Sequence, residues 1–145
     1  MDLEWRIAVM VVALAVALIG WLVLQRGRGS LTPATPAAAG SALPEAVALL
    51  AGERLTLVQV SGRHCTSCVR GARIWHEAIA DQSGVAFVEI DADDHMDLVR
   101  EHGIMTTPTT LVYDRDGALQ GRLTGAPTPK AARAVLTSEQ DGALR

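Results

Sequence analysis

The chain has 145 residues, enough for one domain of ordinary size plus an appendage. With 16 acidic and 13 basic side chains it is mildly acidic, and it has neither a basic run nor an aromatic ladder, so nucleic acid is excluded as a partner. Two cysteines cannot form a disulfide scaffold. A lone close pair of cysteines is more typical of a redox couple or of half a metal site.

Near the N-terminus, residues 7–24 form a run of 18 uncharged, mostly apolar residues. As a helix this run would span roughly 27 Å, close to the hydrocarbon thickness of a bilayer. Trp5 and Trp21 lie near its ends, where amphipathic rings prefer the membrane interface. After a short flank, 1–6, we therefore predict a retained transmembrane helix over 7–24. The alternatives are a buried core helix and a cleaved signal peptide, although the latter usually follows a clearly basic start.

The orientation of this span depends on the basic residues around it. Arg26 and Arg28 follow the span and Arg6 precedes it. Together with the terminal amine, the numbers of basic groups on the two sides are therefore nearly equal. The compact pair after the span favours a single-pass membrane protein with its globular part on the cytoplasmic face. Residues 25–43 are rich in Gly, Pro, Ala, Ser and Thr and show no periodicity. We interpret them as a flexible or partly extended linker.

The globular part is predicted over 44–137, followed by a polar, frayed tail over 138–145. Apolar periodicity, helix starts and turn residues predict its elements in chain order. These are a helix at 44–50, a strand at 56–60, a helix at 66–80, a strand at 85–90, a helix at 96–101, a strand at 110–113, a strand at 118–124 and a helix at 129–137. This order predicts an α/β domain with a mixed sheet flanked by helices.

The two cysteines, Cys65 and Cys68, lie two residues apart where the first of these strands turns into a helix. Such a turn lets two thiols approach closely enough for a disulfide, and it aims helix N–H groups at the first sulfur. The helix dipole and those donors stabilise a thiolate, the reactive form of cysteine. The alternatives are two inert buried cysteines and a metal site.

With this cysteine pair at the first strand-to-helix turn, the chain resembles the thioredoxin fold over roughly 55–136, and it looks like a membrane-anchored member of bacterial type. Three segments carry the resemblance. They are LTLVQV leading into the cysteines, GIMTTPT, which resembles the family's segment with a cis-proline, and the hairpin at Asp116-Gly117 followed by Gly125.

The resemblance implies a thiol–disulfide oxidoreductase in which Cys65 attacks and Cys68 resolves the mixed disulfide. It also implies a cis bond before Pro108, with the backbone of Thr107 beside the thiols, where it would pair with an extended substrate segment. No cofactor is implied. The expected partners are protein thiols and disulfides, and we expect a monomer.

The chain departs from cytosolic thioredoxins around the cysteines. His64 stands in place of a tryptophan, Thr66 and Ser67 in place of Gly-Pro, and Gln59 in place of a buried carboxylate. Two hydroxyls at the helix start, with His64 and Arg63, would stabilise the thiolate or else lie at a solvated surface. Gln59 is either a hydrogen-bonded strand residue or the reason that Cys68 must ionise unaided, in which case release of a mixed disulfide is slow near neutral pH.

Two rival functions remain. One is a copper-delivery module that uses the same thiols as soft ligands, with further candidate ligands at His64, His76, His95, Met96 and His102. Zinc usually needs four ligands at recognisable spacing, and we predict no metal site. The other is a reductant for cytochrome maturation, which requires an outward-facing domain. We favour a membrane-tethered oxidoreductase that exchanges protein disulfides.

Overall fold

The computed structural model describes residues 3–26, 31–34 and 41–140. Helix α1, Leu3–Arg26, contains the predicted span and extends beyond it at both ends. Its residues 4–23 are exposed throughout, and it is long and apolar enough to cross a membrane. At 24 residues it is about 36 Å long. A long apolar helix near the N-terminus, a candidate membrane span, is therefore confirmed, while its retention in a membrane stays a prediction.

A five-stranded mixed sheet forms the centre of the globular part, in the order β1-β5-β4-β2-β3. Strand β2 pairs in parallel with β3 and antiparallel with β4, and β5 is antiparallel to both β4 and β1. The elements are β1 Leu31–Pro33, α2 Glu45–Ala48, β2 Leu55–Ser61, α3 Thr66–Ile79, β3 Val85–Asp91, α4 Met96–Glu101, β4 Thr109–Asp114, β5 Leu119–Thr124 and α5 Pro129–Gln140. The predicted α/β thioredoxin fold is confirmed.

Strand β2 is buried along its whole length and supplies side chains to both faces of the sheet. Val58 and Val60 point into one apolar cluster, whereas Leu55 and Leu57 point into the other, which contains Trp75 of α3. Since side chains alternate along a strand, Gln59 lies on the same face as Leu57. The register of β2 therefore directs a polar residue toward the start of α3.

Part of the predicted linker is an ordered strand. The flexible alternative is therefore wrong for that part, and the extended one holds there. Strand β1 pairs with β5, with Leu31 opposite Leu123 and Pro33 opposite Gly121. A bridge joins Ala42 to Ala118 further along. Three paired residues are too few to show alternation in a sequence, and their partner strand lies far along the chain. Residues 27–30 and 35–40 of the predicted linker lie outside the described residues.

Because β1 covers the edge of β5, its removal is expected to weaken the domain. Leu31 is half-buried and packs against the cluster that contains Leu123. We expect a fragment over 41–145 to unfold with a free energy about 2 kcal/mol lower than a fragment over 27–145, as for loss of one buried leucine. Urea unfolding of the two fragments measures this. Leu31→Ala in the longer fragment should account for part of the difference, and equal stabilities of the two fragments would refute the role of β1.

In the globular part, two helix ends differ from the predictions by two or more residues. Helix α2 ends at Ala48, two residues before its predicted end. Helix α5 continues to Gln140, into the predicted polar tail, where the hydroxyls of Thr137 and Ser138 donate to carbonyls one turn earlier. Through these hydrogen bonds the hydroxyl groups of polar residues are satisfied within the helix itself. Residues 141–145 of the predicted tail lie outside the described residues.

His102, at the C-terminal end of α4, is a buried titratable group away from the cysteines. Its Nε2 lies 3.3 Å from the hydroxyl of Tyr113, and its carbonyl accepts a bond from Arg122. Burial lowers the pKa of His102, and nearby Glu101 opposes this while Arg122 adds to it. Burial also raises the pKa of Tyr113, so the phenol stays protonated.

This environment predicts a pH-dependent stability. The folded state favours neutral His102, because the pKa of this residue is lower there than in the unfolded chain. The contribution of His102 to stability is complete above the unfolded pKa of about 6.5. It is lost as the pH falls from there through the lower folded pKa. We expect the free energy of unfolding to fall between pH 7 and 5, and to fall less in His102→Gln. Urea unfolding across this range tests the prediction. Parallel profiles for the two proteins would contradict it.

Candidate functional site

The turn between β2 and α3 places Cys65 at the start of a helix. Cys65 has extended backbone angles and is the N-cap of α3, with its Sγ accepting a bond from the backbone N–H of Cys68 at 3.2 Å. The residue before it, His64, has a φ of 56°, the left-handed region that non-glycine residues rarely adopt. A helix N-terminus carries partial positive charge. The sulfur of Cys65 therefore lies where a thiolate is stabilised.

Cys65 and Cys68 form a disulfide with an S–S distance of 2.09 Å. Their Cα atoms are 5.2 Å apart, within the normal range for a disulfide. Cys65 is half-buried, whereas Cys68 is only 3% exposed. A partner approaching from solvent therefore meets Cys65 first.

The loop before β4 completes the site from the other side. The Thr107–Pro108 peptide bond is cis, which confirms that prediction. Pro108 is buried, and the hydroxyl of Thr107 lies 3.8 Å from the Sγ of Cys65. A Cβ at Gly62 would lie 3.1 Å from that hydroxyl, so glycine permits the close approach of the two loops. The sequence reasoning missed Gly62, although its place directly after a strand was a signal.

The polar residues beside the cysteines have different surroundings. The hydroxyl of Ser67 lies 3.3 Å from the Sγ of Cys65, while Thr66 is exposed. His64 is also exposed and lines a surface depression together with both cysteines. Arg63 forms an ion pair with Asp93 at 3.1 Å, so its charge is partly neutralised there. The side chain of Ser67 therefore contacts the sulfur of Cys65. Stabilisation of a Cys65 thiolate by these residues stays a prediction.

Gln59 is fully buried beneath the start of α3. Its Nε2, which has two hydrogens to donate, lies within hydrogen-bond distance of three acceptors. These are the carbonyl of Cys68 at 3.1 Å, the hydroxyl of Ser61 at 3.0 Å and Oε1 of Glu89 at 3.1 Å. The hydroxyl of Ser61 also donates to Oε1 of Glu89. Gln59 is thus a hydrogen-bonded strand residue that also contacts the backbone of Cys68.

Sequence reasoning missed Ser61 and Glu89. Ser61 follows Gln59 by two residues and so shares its face of β2, a signal that was present. Glu89 lies directly opposite Gln59 in the pairing of β2 with β3. That register emerges only from the folded sheet.

The histidines considered as metal ligands lie apart from the cysteines. His76 packs edge-on against Phe87, the ring of His95 lies 3.1 Å from the carbonyl of Asp91, and His102 contacts Tyr113. Within the part of the chain that the structure describes, no three His, Cys, Asp or Glu side chains are grouped to hold a metal ion.

Comparison with known proteins decides the family, because the sequence model of the Thioredoxin family matches residues 44–138, more than half of the chain. This chain belongs to the thioredoxin family. Mouse (Mus musculus) thioredoxin is 30% identical over 94 residues, covering 65% of this chain and 88% of that protein. Human (Homo sapiens) thioredoxin domain-containing protein 2 is 35% identical over 80 residues, covering 50% of this chain and 14% of that protein.

A solved structure shows the same fold. The thioredoxin of Trypanosoma brucei brucei superposes with a TM-score of 0.54 at 22% identity, covering 64% of this chain and 80% of that one. Membership of the thioredoxin family, with the Cys65–Cys68 disulfide in the active-site region, makes the chain a thiol–disulfide oxidoreductase that acts on protein thiols and disulfides. Strand β1 precedes the matched region of this thioredoxin domain.

Proposed function

We propose that this chain is a membrane-tethered, monomeric thioredoxin that exchanges disulfides with protein partners, with Cys65 as the attacking thiol and Cys68 as the resolving one. The observation that carries this proposal is the position of Cys65, which is half-buried at the N-terminus of α3, whereas Cys68 is buried. The more accessible sulfur is also the one that the helix favours as a thiolate.

The proposed reaction has two displacement steps. In the reduced protein the Cys65 thiolate attacks a partner disulfide, forming a bond to one partner sulfur while the other leaves as a thiolate. The Cys68 thiolate then attacks the Sγ of Cys65, which releases the remaining partner sulfur and leaves the Cys65–Cys68 disulfide. Two electrons pass from the dithiol to the partner. The reverse sequence oxidises a partner dithiol.

The surface around Cys65 supports a protein substrate. Val69 and Met105 are apolar yet 71% and 90% exposed. Val69 directly follows Cys68 in α3, and Met105 lies two residues before Thr107 in the loop that leads to the cis-proline. Thr107 lies beside the sulfur, where its backbone would pair with an extended segment of the partner. Binding by strand addition depends on backbone more than on side chains, so such a groove accepts varied sequences.

Helix α1 supports the membrane tether, and the basic pair after the span supports a cytoplasmic domain. We expect the protein to stay with membranes after carbonate extraction, and the domain to be protected from protease in vesicles whose cytoplasmic face is inside. Recovery of a mature form that lacks residues 1 to about 39 would show that α1 is a cleaved signal. Protease digestion of the domain in those vesicles would place it on the opposite face.

The exchange function is tested on the full-length protein in detergent. With dithiothreitol as reductant, the wild type should accelerate reduction of insulin disulfides, while the Cys65→Ser/Cys68→Ser double variant should not. Metal content is measured on the same reduced sample. Stoichiometric copper without any acceleration of insulin reduction would overturn the proposal in favour of the delivery module.

A further inference from the structure

We infer that Glu89 is the proton acceptor for Cys68 during release of the mixed disulfide. The inference rests on the proposed two-step exchange. Glu89 lies on the strand next to β2 and lines the same surface depression as Ser61, Cys65 and Cys68. It is exposed, so a proton that it takes up passes readily to solvent.

A chain of hydrogen bonds joins this carboxylate to the helical turn that carries Cys68. One nitrogen, Nε2 of Gln59, lies 3.1 Å from Oε1 of Glu89 and 3.1 Å from the carbonyl of Cys68. Ser61 donates a second bond to the same carboxylate oxygen. Both donors lie on β2, whose seven residues are all buried. Two donors on a buried strand therefore hold the Glu89 carboxylate at the depression that both cysteines line.

The chemistry of the second step requires such an acceptor. Cys68 is buried in the oxidised protein, and a thiol in such a place is mostly protonated near neutral pH. To attack Cys65 it must lose its proton, and Gln59 has no capacity to accept one. In the proposed step the Cys68 proton passes to the Glu89 carboxylate through a water molecule in the depression. The Cys68–Cys65 bond forms, the bond from Cys65 to the partner breaks, and the partner leaves as a thiolate.

Other titratable groups lie near Glu89, and the experiment must distinguish their effects on the second step from the effect of Glu89. His64 lines the same depression, Asp91 is the next residue on the same face of β3, and His76 of α3 packs against Phe87 of that strand. Arg63 and Asp93 are paired with each other at the rim. His64 is the strongest rival, because its imidazole lines the same depression and histidine is the most frequent general base in enzymes.

Stopped-flow reaction of the reduced full-length protein with the aromatic disulfide DTNB separates the two steps. The first thionitrobenzoate is released when Cys65 attacks, and the second when Cys68 resolves the mixed disulfide. We expect Glu89→Gln to slow only the second phase, by about 10-fold or more at pH 6 to 7. General-base catalysis typically contributes about 100-fold to 10,000-fold, so 10-fold is a lower bound. The deficit should shrink above about pH 8.5, where a thiol ionises unaided. Glu89→Asp should recover part of the rate.

Three further variants complete the test. Ser61→Ala should slow the second phase less than Glu89→Gln does. Glu77→Gln, on the exposed face of α3, should change neither phase, and His64→Gln should keep the wild-type pH profile of the second. Superimposable second phases for wild type and Glu89→Gln, an equal deficit at every pH, or a loss confined to His64→Gln would each overturn the inference. Absence of the first phase in wild type would instead overturn the exchange function itself.

Discussion

Cys65→Ser is expected to reduce disulfide exchange to the rate of the same mixture without protein. A serine hydroxyl does not ionise near neutral pH and cannot form the mixed disulfide, so the first displacement is lost. Cys68→Ser should retain that displacement and accumulate the covalent complex, because nothing then attacks the Sγ of Cys65. Non-reducing gels of each variant with a disulfide-bonded protein measure the trapped complex, and mass spectrometry identifies the joined cysteine.

Ser67→Ala is the matched control for these variants. It removes the hydroxyl 3.3 Å from the Cys65 sulfur while it leaves both thiols, so exchange should slow but persist. The assignment of roles also predicts that Cys65 is alkylated first in the reduced protein, since it is the more exposed and lies at the helix start. Faster alkylation of Cys68 would reverse the two roles.

Gly71→Ala is expected to destabilise the protein, although alanine is normally the better helix former by about 1 kcal/mol. A Cβ at residue 71 would lie 2.8 Å from Oε1 of Gln59. That amide is fully buried, and its nitrogen donates its two hydrogens among three acceptors. It therefore cannot move aside without breaking these hydrogen bonds. Overpacking of this kind costs about 1–3 kcal/mol, and we expect the free energy of unfolding to fall by about 1–2 kcal/mol.

A double-mutant cycle with Gln59→Ala separates the clash from helix propensity. With the amide removed, Gly71→Ala should become neutral or stabilising by up to about 1 kcal/mol. Urea unfolding of the four proteins gives the coupling energy between the two positions. Additive effects of the two substitutions would show that Gln59 does not limit residue 71.

Features carried by contiguous residues were predictable from the sequence. Three features are recognisable from a few neighbouring residues. They are the uncharged run of 7–24, the spacing of Cys65 and Cys68 at a strand-to-helix turn, and the segment around Pro108. Apolar periodicity placed the core strands and helices to within two residues at most ends, because burial of one face repeats at a fixed period. Trp75 of α3, for example, is fully buried.

The rest was decided by contacts between distant segments. Strand β1 is ordered because it pairs with the edge of β5. The sequence of its three residues gives no sign of this pairing. Glu89 reaches Gln59 because the parallel register of β2 and β3 sets them opposite each other. Hydrogen bonding between strands depends on backbone groups that every residue possesses, so the sequence determined which segments form strands, while tertiary packing determined which residues of different strands meet beside the cysteines.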